Sequence, residues 1–359
     1  MRSLLLMCSL FLLACPPSDA NELCGAGATL PTAPTALVTG KKMKNLALAG
    51  NALVYVDTEG TGSIHRVGLD GSGDTVLYGP PAQGKLVFDS VVVDDTVWFF
   101  EQESLLLGGT TTRLLHLPVA GGAVVSADLP ETAVYFLRPE AGAFYVKSAN
   151  SGSAMSTVFL MTSTGALTKL VGPGNVDNAL VTADSLFFLN RPDIGADASS
   201  KSLRRAAKEA NATDSAVGSV FCRGSFTVTA SGAILCSGYT STGTGSPSSA
   251  VVTKLDAAGT NPTTLLDLKA GFSGSGVSAA AEVGDEIIFG LSGTGETYPL
   301  LAVKLATGAA RALACDVAPP ERDNGNDRPE LVTNADSVFW IGNGERGTGP
   351  NTLFKASLR

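Results

Sequence analysis

The chain has 359 residues, 44% hydrophobic and 16% charged, with 41 Gly and a formal net charge of −8. The acidic balance argues against nucleic acid as a partner, because phosphate binding needs clustered Lys and Arg. Many Gly and few aromatic residues suit short strands joined by tight turns.

The N-terminus reads as a targeting segment. Arg2 supplies a short positive region, and Ser3 to Ala14 is almost wholly apolar. A dozen or so apolar residues is too short to span a bilayer and right for a signal-peptide core. The core ends Leu12-Leu13-Ala14-Cys15, which resembles the lipobox of bacterial lipoproteins. That resemblance implies lipidation of Cys15, which would hold the protein at an envelope membrane without a spanning helix. Cleavage after Ser18-Asp19-Ala20 is the alternative. The expected division is therefore a signal peptide over 1–14, a tether over 15–34 and one domain over 35–359. No later segment is long and apolar enough to span.

Repeats follow the tether. Each opens with a turn residue and a short apolar, often aromatic run. The instances are Asn51-Ala52-Leu53-Val54-Tyr55, Asp95-Thr96-Val97-Trp98-Phe99, Gly142-Ala143-Phe144-Tyr145-Val146, Asp184-Ser185-Leu186-Phe187-Phe188, Gly232-Ala233-Ile234-Leu235, Asp285-Glu286-Ile287-Ile288-Phe289 and Asp336-Ser337-Val338-Phe339-Trp340. They recur about every 42 to 53 residues, the spacing of four-stranded propeller blades. An apolar run before each turn supplies a first strand, and Gly-terminated runs after it supply a third and fourth. Convincing helices between strands are lacking, which excludes a parallel α/β fold. The fold class expected is an all-β, seven-bladed β-propeller of four-stranded antiparallel blades. The last repeat lacks a fourth strand, and Ala36-Leu37-Val38-Thr39-Gly40 is the spare run expected to complete it beside Thr352 to Leu358.

In the first repeat, Tyr55-Val56-Asp57-Thr58 followed by Gly62-Ser63-Ile64-His65-Arg66-Val67-Gly68-Leu69-Asp70-Gly71 resembles the YWTD-type propeller repeat of low-density-lipoprotein-receptor-like proteins and their bacterial relatives. The likeness is confined to this blade, and that family has six blades. It implies a propeller and leaves function open, since one fold hosts many functions.

Six Cys are present. Beyond Cys8 and Cys15, an even number remains in an exported chain, so two disulfides are expected. Cys222 and Cys236 bracket one hairpin and are expected to pair. Cys24 and Cys315 are then expected to staple the ring closure.

Motifs for chemistry are sparse. His65 and His116 are the two histidines, one residue apart in register, and are not expected to converge. Gly342-Asn343-Gly344-Glu345-Arg346-Gly347 matches G-x-G-x-x-G but lacks the helix a dinucleotide site needs. Glu321 to Arg328 is rich in oxygen ligands, but its spacing misses the calcium loop and its two Arg oppose a cation. No catalytic residue, metal or cofactor is therefore expected. The loops between second and third strands vary most in length and share one end of the ring, where Glu59, Glu101, Arg191, Tyr239 and Arg346 are the candidate ligand-binding residues. The expected function is a non-catalytic binding module, lipid-anchored at a bacterial envelope membrane, presenting this face to a protein, peptide or glycan. The alternative is a lyase or hydrolase of glycans or lactones working at the central channel.

Overall fold

A computed structural model describes residues 23–24, 33–79, 84–104, 110–127, 134–140, 143–149, 156–162, 167–174, 176–190, 202–217, 226–229, 232–239, 249–269, 276–292, 298–317, 331–343 and 351–359. The described strands form seven four-stranded antiparallel sheets. Blade one comprises Met43–Ala49, Ala52–Asp57, Ser63–Gly68 and Thr75–Tyr78 in sequence and spatial order. Blade two comprises Lys85–Val93, Thr96–Ser104, Thr110–Pro118 and Val125–Ala127. Blades three to six repeat the same order from Val134, Val176, Phe226 and Gly276. The run Ser202–Ala207, helical in composition, is a strand of blade four. The protein is an all-β propeller.

The repeat signature has a direct physical reading. Its opening residue sits in the hairpin between the first and second strands. Asp94 and Asp95 both adopt positive φ, 46° and 57°. That is the two-residue turn whose twist matches the flanking strands, and Asp, Asn and Gly tolerate it best. The apolar run that follows is a second strand covered on both faces by neighbouring blades. Ala52–Asp57 is accordingly buried at every position. Such strands read as continuous apolar runs rather than alternating ones.

The seventh sheet is built differently. Leu331–Thr333, Ser337–Asn343 and Asn351–Ser357 are joined on their outer side by Thr35–Lys41. Thr35 lies opposite Lys355 and Lys41 opposite Asn351, antiparallel, with two register shifts between. Val38, Phe339, Ile341 and Leu353 from this sheet share one core with Met43, Leu46, Leu53, Tyr55 and Val67 of blade one. Lys355 Nζ donates to Leu69 O at 3.2 Å across the same boundary. We call this boundary the seam.

A disulfide joins Cys24 to Cys315 at the end of blade six, with Cα atoms 5.7 Å apart. It tethers the segment leading into Thr35–Lys41. Cys236 is also disulfide-bonded; its ladder partner is Phe226, and Cys222 lies outside the described residues. So do Cys15 and 321–328. Gly342 and Asn343 end a strand, and the rest of that glycine motif lies outside the described residues. Among the described residues no helix is long and apolar enough to cross a membrane.

Candidate functional site

The seam holds a cluster of reactive side chains whose placement follows from strand register. Tyr55 lies directly opposite His65, and Asp57 opposite Ser63, on the second and third strands of blade one. Directly paired residues share a face, as do residues two apart on one strand. Tyr55, Asp57, Ser63 and His65 therefore all project toward blade seven. The Tyr55 and His65 rings stack at 5.1 Å. Asp74 comes from the approach to blade one's fourth strand, and Lys41 crosses from the outer strand of blade seven.

The contacts are ordered around the imidazole. Ser63 Oγ lies 3.0 Å from His65 Nε2. His65 Nδ1 lies 3.1 Å from Asp74 Oδ1. Tyr55 donates its O–H to Asp74 Oδ1 at 2.9 Å, and Lys41 Nζ donates to Asp74 Oδ2 at 2.8 Å. Lys41 Nζ also lies 3.0 Å from His65 Nδ1. His65 is 5% exposed, whereas Ser63 is half-buried and reaches solvent.

Burial alone would raise the Asp74 carboxyl. Hydrogen bonds from Lys41, Tyr55 and His65 outweigh it and hold the group below the ordinary carboxylate range. Asp74 is thus an anion at neutral pH. Burial, then the charge and hydrogen bond of Asp74, then the charge of Asp57, push the Tyr55 phenol far above its ordinary value. Tyr55 stays a neutral donor. A carboxylate on one imidazole nitrogen and a hydroxyl on the other is the arrangement in which histidine takes a proton from serine.

A second polar cluster bridges blades one and two. Glu101 Oε2 accepts from Tyr78 O–H at 2.6 Å, and Oε1 accepts from Lys85 Nζ at 3.1 Å. Glu101 is 3% exposed and lies within the strand Thr96–Ser104. It is not a loop residue as the sequence suggested, because this hairpin stays paired as far as Ser104 and Thr110. Of the other candidate loop residues, Glu59 is exposed in the turn after Asp57. Tyr239 ends a blade-five strand, and Arg191 and Arg346 lie outside the described residues.

His65, not expected from the sequence to belong to a site, stands at the centre of this one. The signal was present in the pattern Ser63-x-His65 on one strand, with Tyr55 at the matching register on its neighbour. Lys41 had no such signal, since it reaches the site only through the pairing of Thr35–Lys41 with the far end of the chain.

No protein-family model matches the chain, and no curated protein matches it in sequence. Solved structures share its fold. An oligogalacturonate lyase in complex with manganese matches with TM-score 0.62 and 12% identity, over 91% of this chain and 93% of the lyase. The β-propeller domain of the trilobed protease from Pyrococcus furiosus matches with TM-score 0.62 and 11% identity, over 89% and 94%. Puromycin hydrolase matches with TM-score 0.57 and 15% identity over 88% of this chain, which spans 52% of that protein. At these identities the likeness establishes the propeller.

The expectation of a non-catalytic binding module is corrected at this point. The structures that share the fold come from a lyase, a hydrolase and a protease, and the seam assembles an acid–base group that the sequence reading had not foreseen. The manganese of the lyase has no matching donor set here: among the described residues no group of three or more His, Cys, Asp or Glu could hold a metal ion.

Proposed function

We propose that this protein is a hydrolase of ester or lactone bonds, with Ser63 as nucleophile, His65 as general base and acid, and Asp74 as the carboxylate that orients and charges the ring. The observation that carries the reading is the Oγ of half-buried Ser63, 3.0 Å from Nε2 of buried His65, whose Nδ1 faces Asp74 Oδ1 at 3.1 Å. Fold likeness to a lyase, a hydrolase and a protease domain supports an enzyme. The reaction sits in the seam, not at the central channel.

With Nδ1–H donating to Asp74, Nε2 accepts the Ser63 proton as Oγ bonds to the ester carbonyl carbon. The imidazolium then returns that proton to the leaving oxygen as the ester C–O bond breaks. A water, deprotonated by the same Nε2, releases the acyl group and restores Ser63. A seven-bladed ring closed by Thr35–Lys41 is part of the proposal, because that pairing sets blade seven against the face of blade one that carries Ser63 and His65. It is supported by the seven sheets and the pairing of Thr35–Lys41 with Asn351–Ser357. We further propose export and a lipid anchor at Cys15, supported by the apolar leader and by disulfides that persist in oxidising compartments.

The test is hydrolysis of 4-nitrophenyl acetate, with fluorophosphonate labelling located by peptide mass spectrometry. Label on Ser63, and a fall in kcat/KM of at least roughly 100-fold for Ser63→Ala, support the reading. Equal rates for Ser63→Ala and wild type, with no label on Ser63, would sink it.

A further inference from the structure

Lys41 makes one contact that the hydrolase reading does not use. Its Nζ is 2.8 Å from Asp74 Oδ2 and 3.0 Å from His65 Nδ1. An ammonium has three donors and no acceptor. It can hydrogen-bond Nδ1 only when that nitrogen carries no proton. Asp74 Oδ1, 3.1 Å from the same nitrogen, needs the opposite: a carboxylate accepts, so Nδ1 must then carry the proton. Lys41 and Asp74 therefore compete for one ring nitrogen, and the winner fixes the tautomer that Ser63 meets. With Lys41 on Nδ1, the neutral ring bears its proton on Nε2 and donates to Ser63 Oγ. Such a ring cannot take the serine proton. With Asp74 on Nδ1, the Nε2 lone pair faces Ser63 and the base is ready.

We propose that Lys41 is a positioning residue that holds His65 idle, and that an anionic group on the substrate releases it, so that the enzyme selects esters carrying a carboxylate near the scissile bond. The inference rests on the hydrolase reading. Several features around Lys41 favour such a release. Its side chain is 24% exposed, so an anion can reach it while His65 stays buried. Lys41 follows Gly40, whose φ is +80°, and lies at a register shift in its strand. Exposed Lys42 adds a second cation at the same end. The Lys42 carbonyl is held there by the Thr58 N–H at 2.7 Å and the Thr58 hydroxyl at 2.9 Å. Thr58 directly follows Asp57, the residue paired with Ser63. Lys41 thus stands at the Nδ1 side of the ring, across the imidazole from Ser63, and the backbone of Lys42 is tied to the strand end that carries Asp57. When the substrate carboxylate draws Nζ away, one proton leaves Nε2 to water and one from water joins Nδ1. The ring ends with the same charge it began with, and Asp74 accepts from the new N–H. Tyr55 O–H continues to hold Oδ1, so the carboxylate does not swing away with the lysine.

Two readouts test this, both on the purified full chain. The first compares 4-nitrophenyl acetate with the singly charged 4-nitrophenyl hemisuccinate. Wild type should favour the hemisuccinate. Lys41→Met should speed acetate turnover and erase the preference, each by roughly tenfold, within the ordinary range of coupling between two sites. A purely structural lysine would slow both substrates together and leave their ratio intact, and that result overturns the proposal. The second readout is imidazole 15N chemical shift. His65 and His116 are the only histidines, so a His116→Gln control assigns the spectrum. Ligand-free wild type should show Nε2 protonated and Nδ1 bare, and saturating succinate should reverse this. A ring already protonated on Nδ1 without ligand overturns the proposal even if Lys41→Met fails to fold. The nitrogen shifts need no turnover, so they judge Lys41 separately from the Ser63→Ala result.

Discussion

Asn351 Nδ2 donates to the backbone oxygen of Met43 at 2.9 Å, a buried contact between residues 308 apart in sequence. It joins the third strand of blade seven to the first strand of blade one, beside the point where Lys41 lies opposite Asn351. The Ser63–His65–Asp74 cluster and the pairing of Thr35–Lys41 with Asn351–Ser357 are therefore one piece of structure. What loosens the seam also disturbs the distances between Lys41, His65 and Asp74.

The Cys24–Cys315 disulfide spans 291 residues, so its loss frees a very long loop in the unfolded state. We expect Cys24→Ser to lower stability by roughly 2–5 kcal/mol, the range for native bridges that close long loops. Urea denaturation under oxidising conditions measures it. An unchanged midpoint would show that the seam holds without its tether.

Asp74 should make the fold acid-sensitive. Its folded-state carboxyl sits below the ordinary value, so the unfolded chain binds that proton more readily. The stabilisation is complete above about pH 4, the unfolded carboxyl value, and drains away as pH falls through the lower, folded value. Wild type should lose stability over that window faster than Asp74→Asn. Denaturation midpoints for the two proteins should converge in acid; a constant gap between them would contradict the assignment.

At the opposite end of the pH scale, Tyr78 is the group to follow. Burial, then the hydrogen bond and charge of Glu101, push its phenol up to about 12. The folded state holds its proton more tightly than the unfolded state, so this stabilisation is full below about pH 10 and is lost as pH rises through about 12. Alkaline absorbance titration should show one late phenol missing in Tyr78→Phe. In Glu101→Gln the same phenol should titrate earlier, because its charged partner is gone. Tyr78→Phe should also cost about 1–3 kcal/mol, since it leaves a Glu101 oxygen short of a donor in a buried place.

Two glycines separate backbone handedness from crowding. Gly73 has φ +66° with nothing within 4 Å of an added Cβ, whereas Gly308 has φ +72° and a Cβ there would stand 2.5 Å from Leu265 O of blade five. Gly73→Ala should cost about 1–2 kcal/mol from handedness alone. Gly308→Ala should cost a further about 1–3 kcal/mol, because rigid backbone is forced apart. Equal thermal shifts for the two variants would mean that blades five and six yield freely at their contact.

The strands were legible because their signals are local. Asp94-Asp95 names its own turn, and Val97 to Phe100 announces a strand covered on both faces. The spare run near Val38 was legible by subtraction, as the strand the final repeat lacked. The site was harder to see. Ser63 and His65 share a face by simple alternation, and Tyr55 follows from the hairpin register. Asp74 enters from a turn whose path alternation does not fix. Lys41 enters from a strand that belongs to another blade, so no window of sequence contains both it and its partners. Glu101 misled for a different reason. Its neighbours Gln102, Glu103 and Ser104 are polar, and polar residues beyond an apolar run look like loop, although the backbone pairing continues through them.

Thr35–Lys41 is made before any blade and finds its partner only after Asn351–Ser357 has been synthesised. During that interval the chain carries nearly complete blades with two open sheet edges, the last blade lacking its outer strand and the first lacking its neighbour. Pairing at such sequence distance is slow, and unpaired edges in waiting intermediates invite association with other chains. Among the described strands, the pairing of Thr35–Lys41 with Asn351–Ser357 is the long-range encounter that delivers Lys41 to His65. A chain arrested before it would hold Ser63, His65 and Asp74 without Lys41 against Nδ1.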